Sequence, residues 1–344
     1  MQPNLKKRSH FLLIMINRTI MRIKILQVLY SFYKGDGKSL PDAEKELLHN
    51  FERTYDLYFH LFLLSIELTN FAAGRIEARR NKYRPTEEDL NPNTRFIDNL
   101  FIKQLSNHRE FKQIIADRNI SWDNNRDALK DIFEELIESD VYKGYMKKPS
   151  YGIELDKSFW RQVFLEFIPT SVALEETLEE QCMHWCDSLE MTASFVAKTI
   201  RYFRRNNRGQ PIFLPMFKNE DDWDYSRKLF RSAIENAHEY LHIIDETTRN
   251  WELDRMADMD ILIMQMALAE IFNFPAIPVS VTLNEYINIA KTYSTENSGT
   301  FVNGVLDKVV KQLREENKLI KVIMPNENKE PRTKHKEPRR GKPD

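Results

Sequence analysis

The chain has 344 residues, of which 42% are hydrophobic and 30% charged, and its 9 glycines and 14 prolines are too few for a turn-rich β fold and suit long amphipathic helices. Its 51 lysines and arginines nearly cancel 52 aspartates and glutamates, so no global field draws in polyanions and any nucleic-acid site must be a local cluster. Two cysteines, Cys182 and Cys186, exclude a disulfide framework and predict a reducing compartment, the cytoplasm.

At the N-terminus, Lys6, Lys7 and Arg8 precede an apolar run from Phe11 to Ile16 that superficially resembles a signal peptide. The run is too short and lacks a small-residue cleavage site, so export is not expected. Translation starts at Met1 or at Met15, and in the second case residues 1–14 are a mis-assigned extension. No stretch approaches the ~18 apolar residues that would span a bilayer, so no membrane is expected as a partner.

Apolar residues from Ile20 to Phe32 recur at helical spacing until Gly35 and Gly37 end the run. Ser39 or Asp42 then caps a much longer helix running through Leu47, Phe51, Leu57, Leu61 and Leu68 towards Arg80. The periodicity predicts further helices over 94–115 and 127–145, a linker over 147–152, and helices over 156–168 and 174–203 on either side of Pro169. A basic loop follows over 204–215. Helices are predicted over 224–251 and 256–272, the second stopped by Pro275 and Pro278. Ser280 or Thr282 opens a helix bearing Leu283, Ile287 and Ala290, and a last helix carries Phe301, Val305, Val309 and Leu313, so the two pack as a hairpin. The tail from Asn326 has almost no apolar residues and is expected to be disordered. A faint internal echo, in which Asp156-Lys-Ser leads to Trp185 as Asp224-Tyr-Ser leads to Trp251, fits a decayed duplication or a shared composition equally well.

The segment VSVTLNEYINIAKTYSTENSGTFVNGVLD (Val279 to Asp307) closely resembles the C-terminal signature of the NusB family: an Asn-Glu helix, a polar loop, then FVNGVLD. NWELDRMADMDILIMQMALAEI (from Asn250) resembles the family helix before that signature, and NRTIMRIKILQVLYSFYK (from Asn17) resembles its basic first helix. The resemblance implies an all-α, NusB-like helical bundle with an additional inserted helical region. Residues 15–35 form its first helix, 36–218 the insertion, 219–320 the C-terminal core and 325–344 a disordered tail. It implies a non-enzymatic transcription antitermination adaptor in the elongation complex, without a cofactor, that binds boxA-type ribosomal RNA together with the small-subunit ribosomal protein NusE.

On that resemblance the RNA contacts fall on Arg18, Arg22 and Lys24 of the first helix, and on Asn297, Thr300 and Phe301 at the start of the last. Arg18 and Arg22 are one turn apart and can track phosphates along one helix edge, although a surface arginine pair is otherwise simply solvated. The Phe301 ring either stacks on an unpaired base, with helix-start amides meeting a phosphate, or joins Val305 and Val309 in the core. Asn297 stands where the family usually has an acidic residue, and Gln265 where many members carry arginine. Tyr30 and Asp260 match positions that face the ribosomal-protein partner; Asp260 falls on an apolar arc, where a carboxylate needs either a partner or a helix N-terminus.

Gly304, in mid-helix, suggests close approach of a facing helix, and Asn303 a local backbone hydrogen bond. Cys182, His184 and Cys186 invite a metal site, but the thiols at i and i+4 share a helical face that His184 leaves, which favours a buried pair. Asp221, Asp222 and Asp224 read as helix-start carboxylates. Two rival functions follow. One is a helical scaffold that keeps the protein partner and has lost RNA. The other is an RNA-methyltransferase-related protein, disfavoured because the family segment lies in the C-terminal part and no glycine-rich cofactor loop or catalytic-cysteine context follows it; nor does the sequence hold a Walker, GxGxxG or nucleophile-elbow motif.

Overall fold

The computed structural model describes residues 15–35, 37–203, 212–248 and 256–319, and these residues form helices and no strand. They divide into two compact units, one of Met1–Lys24 and Pro41–Trp223, the other of Ile25–Leu40 and Asp224–Asp344. The divisions fall inside the first helix, at the start of the second and near the start of a later one. The predicted disordered tail and most of the predicted basic loop lie outside the described residues.

Helix α1 (Arg18–Lys34) is capped by Asn17, whose Oδ1 accepts the Ile20 N–H at 3.1 Å. Just before it, the Met15 and Ile16 amides donate to the Pro215 and Met216 carbonyls, each at 3.0 Å, which fixes the start of α1 within the first unit. Helix α2 (Leu40–Arg80) runs 41 residues, about 60 Å at 1.5 Å per residue. It contains a window long and apolar enough by composition to cross a membrane, and 67% of that window is buried inside the fold. Its middle, from Leu57 to Phe62, is buried all round, as expected of a core helix rather than a surface one.

Aromatic rings pack along that stretch: Phe59 and Phe62 meet Phe213 at 5.4 and 5.5 Å. Two tyrosines tie the segment around Leu214 to α2, since Tyr55 Oη donates to the Leu214 carbonyl at 2.9 Å and the Leu214 N–H donates to Tyr58 Oη at 3.2 Å. Burial pushes the Tyr55 phenol up to about 12 and raises that of Tyr58 as well.

Most long helices expected between 94 and 203 are broken in the structure. The 94–115 stretch becomes a turn followed by α4 (Leu100–Ser106) and α5 (Arg109–Asp117), after the short α3 (Glu87–Leu90). Asn99 Oδ1 accepts the Ile102 N–H at 3.1 Å and His108 Nδ1 that of Phe111 at 3.4 Å, so each begins a new helix where periodicity alone continues the old one. Ser139 likewise separates α6 (Arg126–Glu138) from α7 (Asp140–Met146), accepting the Tyr142 N–H at 3.2 Å. Helix α8 (Ile153–Gln162) ends in a π-helical turn over Val163–Phe167. Helix α9 (Val172–Gln181) stops at Cys182, and a 3-10 segment, Met183–Ser188, leads into α10 (Leu189–Tyr202). Cys182 and Cys186 are therefore not carried by one α-helix, and the described residues hold no group of His, Cys, Asp or Glu arranged for a metal.

The remaining helices are α11 (Glu220–Glu235), α12 (Ala237–Thr247), α13 (Asp258–Asn273), α14 (Val279–Tyr293) and α15 (Ser298–Glu315). Asn236 breaks what the sequence suggested was one helix into α11 and α12. Asp222 Oδ2 accepts the Lys218 N–H at 2.9 Å, in keeping with a helix-start role. The internal echo does not extend to its aspartates: Asp156 is buried and Asp224 exposed, while Trp251 lies outside the described residues. Every residue of α13 from Leu262 to Ile271 is buried, and α12, α14 and α15 pack around it. The expected α14–α15 hairpin is present.

Gly304 differs from expectation. A Cβ there would meet nothing within 4 Å among the described residues, so none of the described helices approaches it closely. Gly304→Ala should therefore raise the unfolding free energy by about 1 kcal/mol through helix propensity, measurable by urea denaturation followed by far-UV circular dichroism. A loss of stability would show that the glycine serves packing after all.

Candidate nucleic-acid interface

In the second unit, the Ser294–Phe301 turn between α14 and α15 is organised by Ser298. Its Oγ donates to Asp260 Oδ2 at 2.9 Å, accepts the Thr295 N–H at 3.1 Å, and lies 2.7 Å from Thr295 Oγ1 and 3.0 Å from Ser294 Oγ. One buried hydroxyl thus joins the start of α13 to the loop and to the start of α15. Asp260 is the buried partner of this hydroxyl, and its other oxygen is buried without a hydrogen-bond partner among the described residues. The partner that the apolar arc of Asp260 calls for is thus Ser298, within the same unit. Sequence reasoning missed Ser298, although serine and threonine clustered before an apolar run are a helix-start signal.

The loop takes up three of the helix-start amides that were expected to meet a phosphate. The Ser298 N–H donates to the Thr295 carbonyl at 2.9 Å, and those of Thr300 and Phe301 both donate to the Asn297 carbonyl at 3.1 Å. What the turn presents to solvent is side chains: Asn297 and Thr300 are exposed and Phe301 is half-buried. The carboxamide and hydroxyl can hydrogen-bond a base edge or a sugar, and the exposed part of the ring can stack.

On α1, Arg18 is exposed, but Arg22 is 3% and Lys24 1% exposed. The expected two-arginine edge is therefore corrected to one exposed guanidinium. The physical reason is that α1 is apolar around most of its circumference, with Ile20, Met21, Ile25, Leu26 and Leu29 all buried, so cations between them are enclosed. Tyr30 is exposed, with Lys34 Nζ 5.9 Å from its ring centre, and Lys34 is ion-paired with Asp258. Gln265, the position where arginine is common in the family, is buried and donates to Tyr33 Oη at 2.9 Å and to the Ala233 carbonyl. Burial raises the Tyr33 phenol pKa, and the Gln265 contact opposes the rise. Gln265 thus ties α13 to the end of α1 and to α11 and contributes no cation to a surface.

The buried Glu270 was also missed. It accepts Tyr225 Oη at 2.5 Å on one oxygen and Thr282 Oγ1 at 2.8 Å on the other, joining α11, α13 and α14. Its signal was a lone acid inside the apolar run from Ile261 to Phe272.

A model of the NusB family matches residues 205–311, which include this turn and Glu270. The transcription antitermination protein NusB of Salinibacter ruber is 37% identical over 110 residues, 32% of this chain and 69% of the relative. The chain belongs to the NusB family. The NusB protein of Clostridium acetobutylicum is 29% identical over 136 residues, 40% of this chain and 94% of that relative. A solved T. maritima NusB chain is 24% identical and aligns with 47% of this chain and 97% of its own length at a TM-score of 0.27, too low to support a fold argument. Most of the first unit, from Pro41 to Phe203, lies outside the NusB family match.

Proposed function

We propose that this NusB family member is a cytoplasmic, non-catalytic antitermination adaptor that joins the transcription elongation complex, binding boxA-type RNA together with the small-subunit ribosomal protein NusE. The observation that carries this reading is the turn at Asn297, Thr300 and Phe301, which lies within the family match and is held rigid from beneath by Ser298 and Asp260. Such a turn offers a preorganised, partly aromatic platform to a single-stranded base. Arg18 supplies an exposed phosphate contact, while Arg22 and Lys24 act from buried positions by holding α1. Tyr30 is the exposed partner-facing residue, and Asp260 acts on the partner surface indirectly by setting the starts of α13 and α15.

The test is fluorescence anisotropy of a boxA-containing RNA with and without the ribosomal protein. Phe301→Ala should weaken RNA binding by about tenfold, the scale of one lost base–aromatic stack. Arg18→Ala should reduce the slope of log K against log salt by about 0.7, one single-strand phosphate contact. Burial of Arg22 and Lys24 and the engagement of Gln265 favour a second reading, a scaffold that binds the ribosomal protein and not RNA. Partner binding accompanied by RNA affinity no better than that of Phe301→Ala would select it.

A further inference from the structure

The C-terminal end of α2, in the first unit and outside the family match, gathers cations. Residues 75–84 contain Arg75, Arg79, Arg80, Lys82 and Arg84 against the single carboxylate Glu77. Lys82 is 3.1 Å from Asp89 and Arg75 is 3.7 Å from Glu134, so those two charges are partly spent. Arg79, Arg80 and Arg84 are exposed and have no ion-pair partner among the described residues. Glu87 and Glu88 follow on α3 and subtract from the local field, while Asp89 is held by its bond from the Thr86 N–H at 3.1 Å and by Lys82.

Two features give this cationic patch a chemical preference. Tyr83 is 96% exposed, with the Arg84 guanidinium 5.8 Å from its ring centre. A tyrosine so fully exposed contributes little to the fold and leaves its ring accessible to a base. Beside it, Arg75 and Arg79 edge a cavity of about 410 Å³ floored by Phe96, Phe133 and Tyr142. The Arg75 guanidinium lies 5.9 Å from the Phe133 ring centre. Asn91 and Glu88 complete the rim with hydrogen-bonding groups suited to a base edge rather than a phosphate.

We propose that this face of the first unit binds single-stranded RNA, with Arg79, Arg80 and Arg84 on successive phosphates, Tyr83 stacked on one base, and the aromatic cavity receiving another. Guanidinium groups alternating with stacking rings match an unpaired strand, whose bases are free to leave the backbone line. A duplex keeps its bases stacked internally and offers nothing for the cavity. The inference rests on the reading that the protein works on RNA, but it assigns a second, sequence-tolerant contact to the region outside the family match.

The experiment uses the full chain and two labelled RNAs, an oligouridine of about 12 nucleotides and a boxA-containing RNA, titrated at several salt concentrations. Arg79→Ala/Arg80→Ala/Arg84→Ala should weaken oligouridine binding at least tenfold and lower the salt slope by about 2, three single-strand phosphate contacts. Tyr83→Leu should weaken it by about tenfold with the slope unchanged. Phe301→Ala should leave oligouridine binding intact. Because all four patch side chains are exposed, the thermal midpoint should not move, which separates lost binding from lost folding. Unchanged oligouridine affinity in both patch variants would overturn the proposal. So would an effect of the arginine variant with none from Tyr83→Leu, since that would mark a plain anion-binding face such as an acidic protein would use. Oligouridine binding that persists where the wild type shows no preference for boxA would support this inference while removing the proposed function.

Discussion

Glu270→Ala should lower the unfolding free energy by about 4 kcal/mol, because two buried hydroxyls lose a common acceptor and a cavity is left among three helices. Tyr225 Oη and Thr282 Oγ1 reach the two oxygens of this carboxyl from α11 and α14, so the side chain is a cross-link at the centre of the second unit. Glu270→Gln keeps one carbonyl acceptor and replaces the other with a donor, so it should fall between wild type and alanine. Tyr225→Phe should lose about 1–2 kcal/mol, and combining it with Glu270→Ala should cost less than the sum, because the two share one interaction. Urea unfolding followed by circular dichroism reads the effect. Tryptophan emission provides a separate view of the first unit, to which Trp122, Trp160, Trp185 and Trp223 belong. A loss below about 1 kcal/mol for Glu270→Ala would mean that the hydroxyls find other acceptors and that the link is not structural.

The helices around Glu270 were the most legible part of the sequence, and the first unit the least. Apolar periodicity placed α1, α2, α13 and the α14–α15 hairpin within a few residues of their observed ends. Between 94 and 203 it ran on through Asn99, His108 and Ser139, because a capping side chain redirects the backbone without disturbing the apolar spacing on either side. The candidate site divides in the same way. The family resemblance pointed to the turn at 297–301 and left the Phe301 ring open between stacking and the core; in the structure Asn297 and Thr300 are exposed and the ring is half-buried. The fate of Arg22, Lys24 and Gln265 depended on how much of each helix is enclosed, which a helix's own pattern reports only when one face is clearly polar. Neither α1 nor α13 has such a face. Gly304 shows the opposite error: a residue that usually marks close packing sits over open space, where alanine would serve the helix better.

Acidification should destabilise the first unit through His60, by up to about 3 kcal/mol between neutral pH and pH 4. This histidine lies in the middle of α2, with its ring centre 4.7 Å from that of Trp185 and 6.0 Å from that of Trp122. Its Nδ1 is buried and has no hydrogen-bond partner among the described residues. Burial first, and the nearby Arg53 charge second, hold its pKa down at about 4 against an ordinary value of 6.5. The folded form therefore binds a proton less readily than the unfolded chain. Between pH 6.5 and 4 the unfolded state takes up the proton and the folded state does not, so stability present above 6.5 drains away as pH falls through that window. Carboxylates titrate over part of the same range, so the informative quantity is the difference between wild type and His60→Leu. At pH 7 the two should be within about 1 kcal/mol, since the neutral imidazole has no bond at Nδ1 to lose. At pH 4.5 the leucine variant should be the more stable, and its urea midpoint should depend less on pH. Emission from the flanking Trp122 and Trp185 makes unfolding of this region directly visible. Parallel pH profiles for the two proteins would show that folded His60 takes up its proton over the same range as the unfolded chain, so that burial does not oppose its protonation.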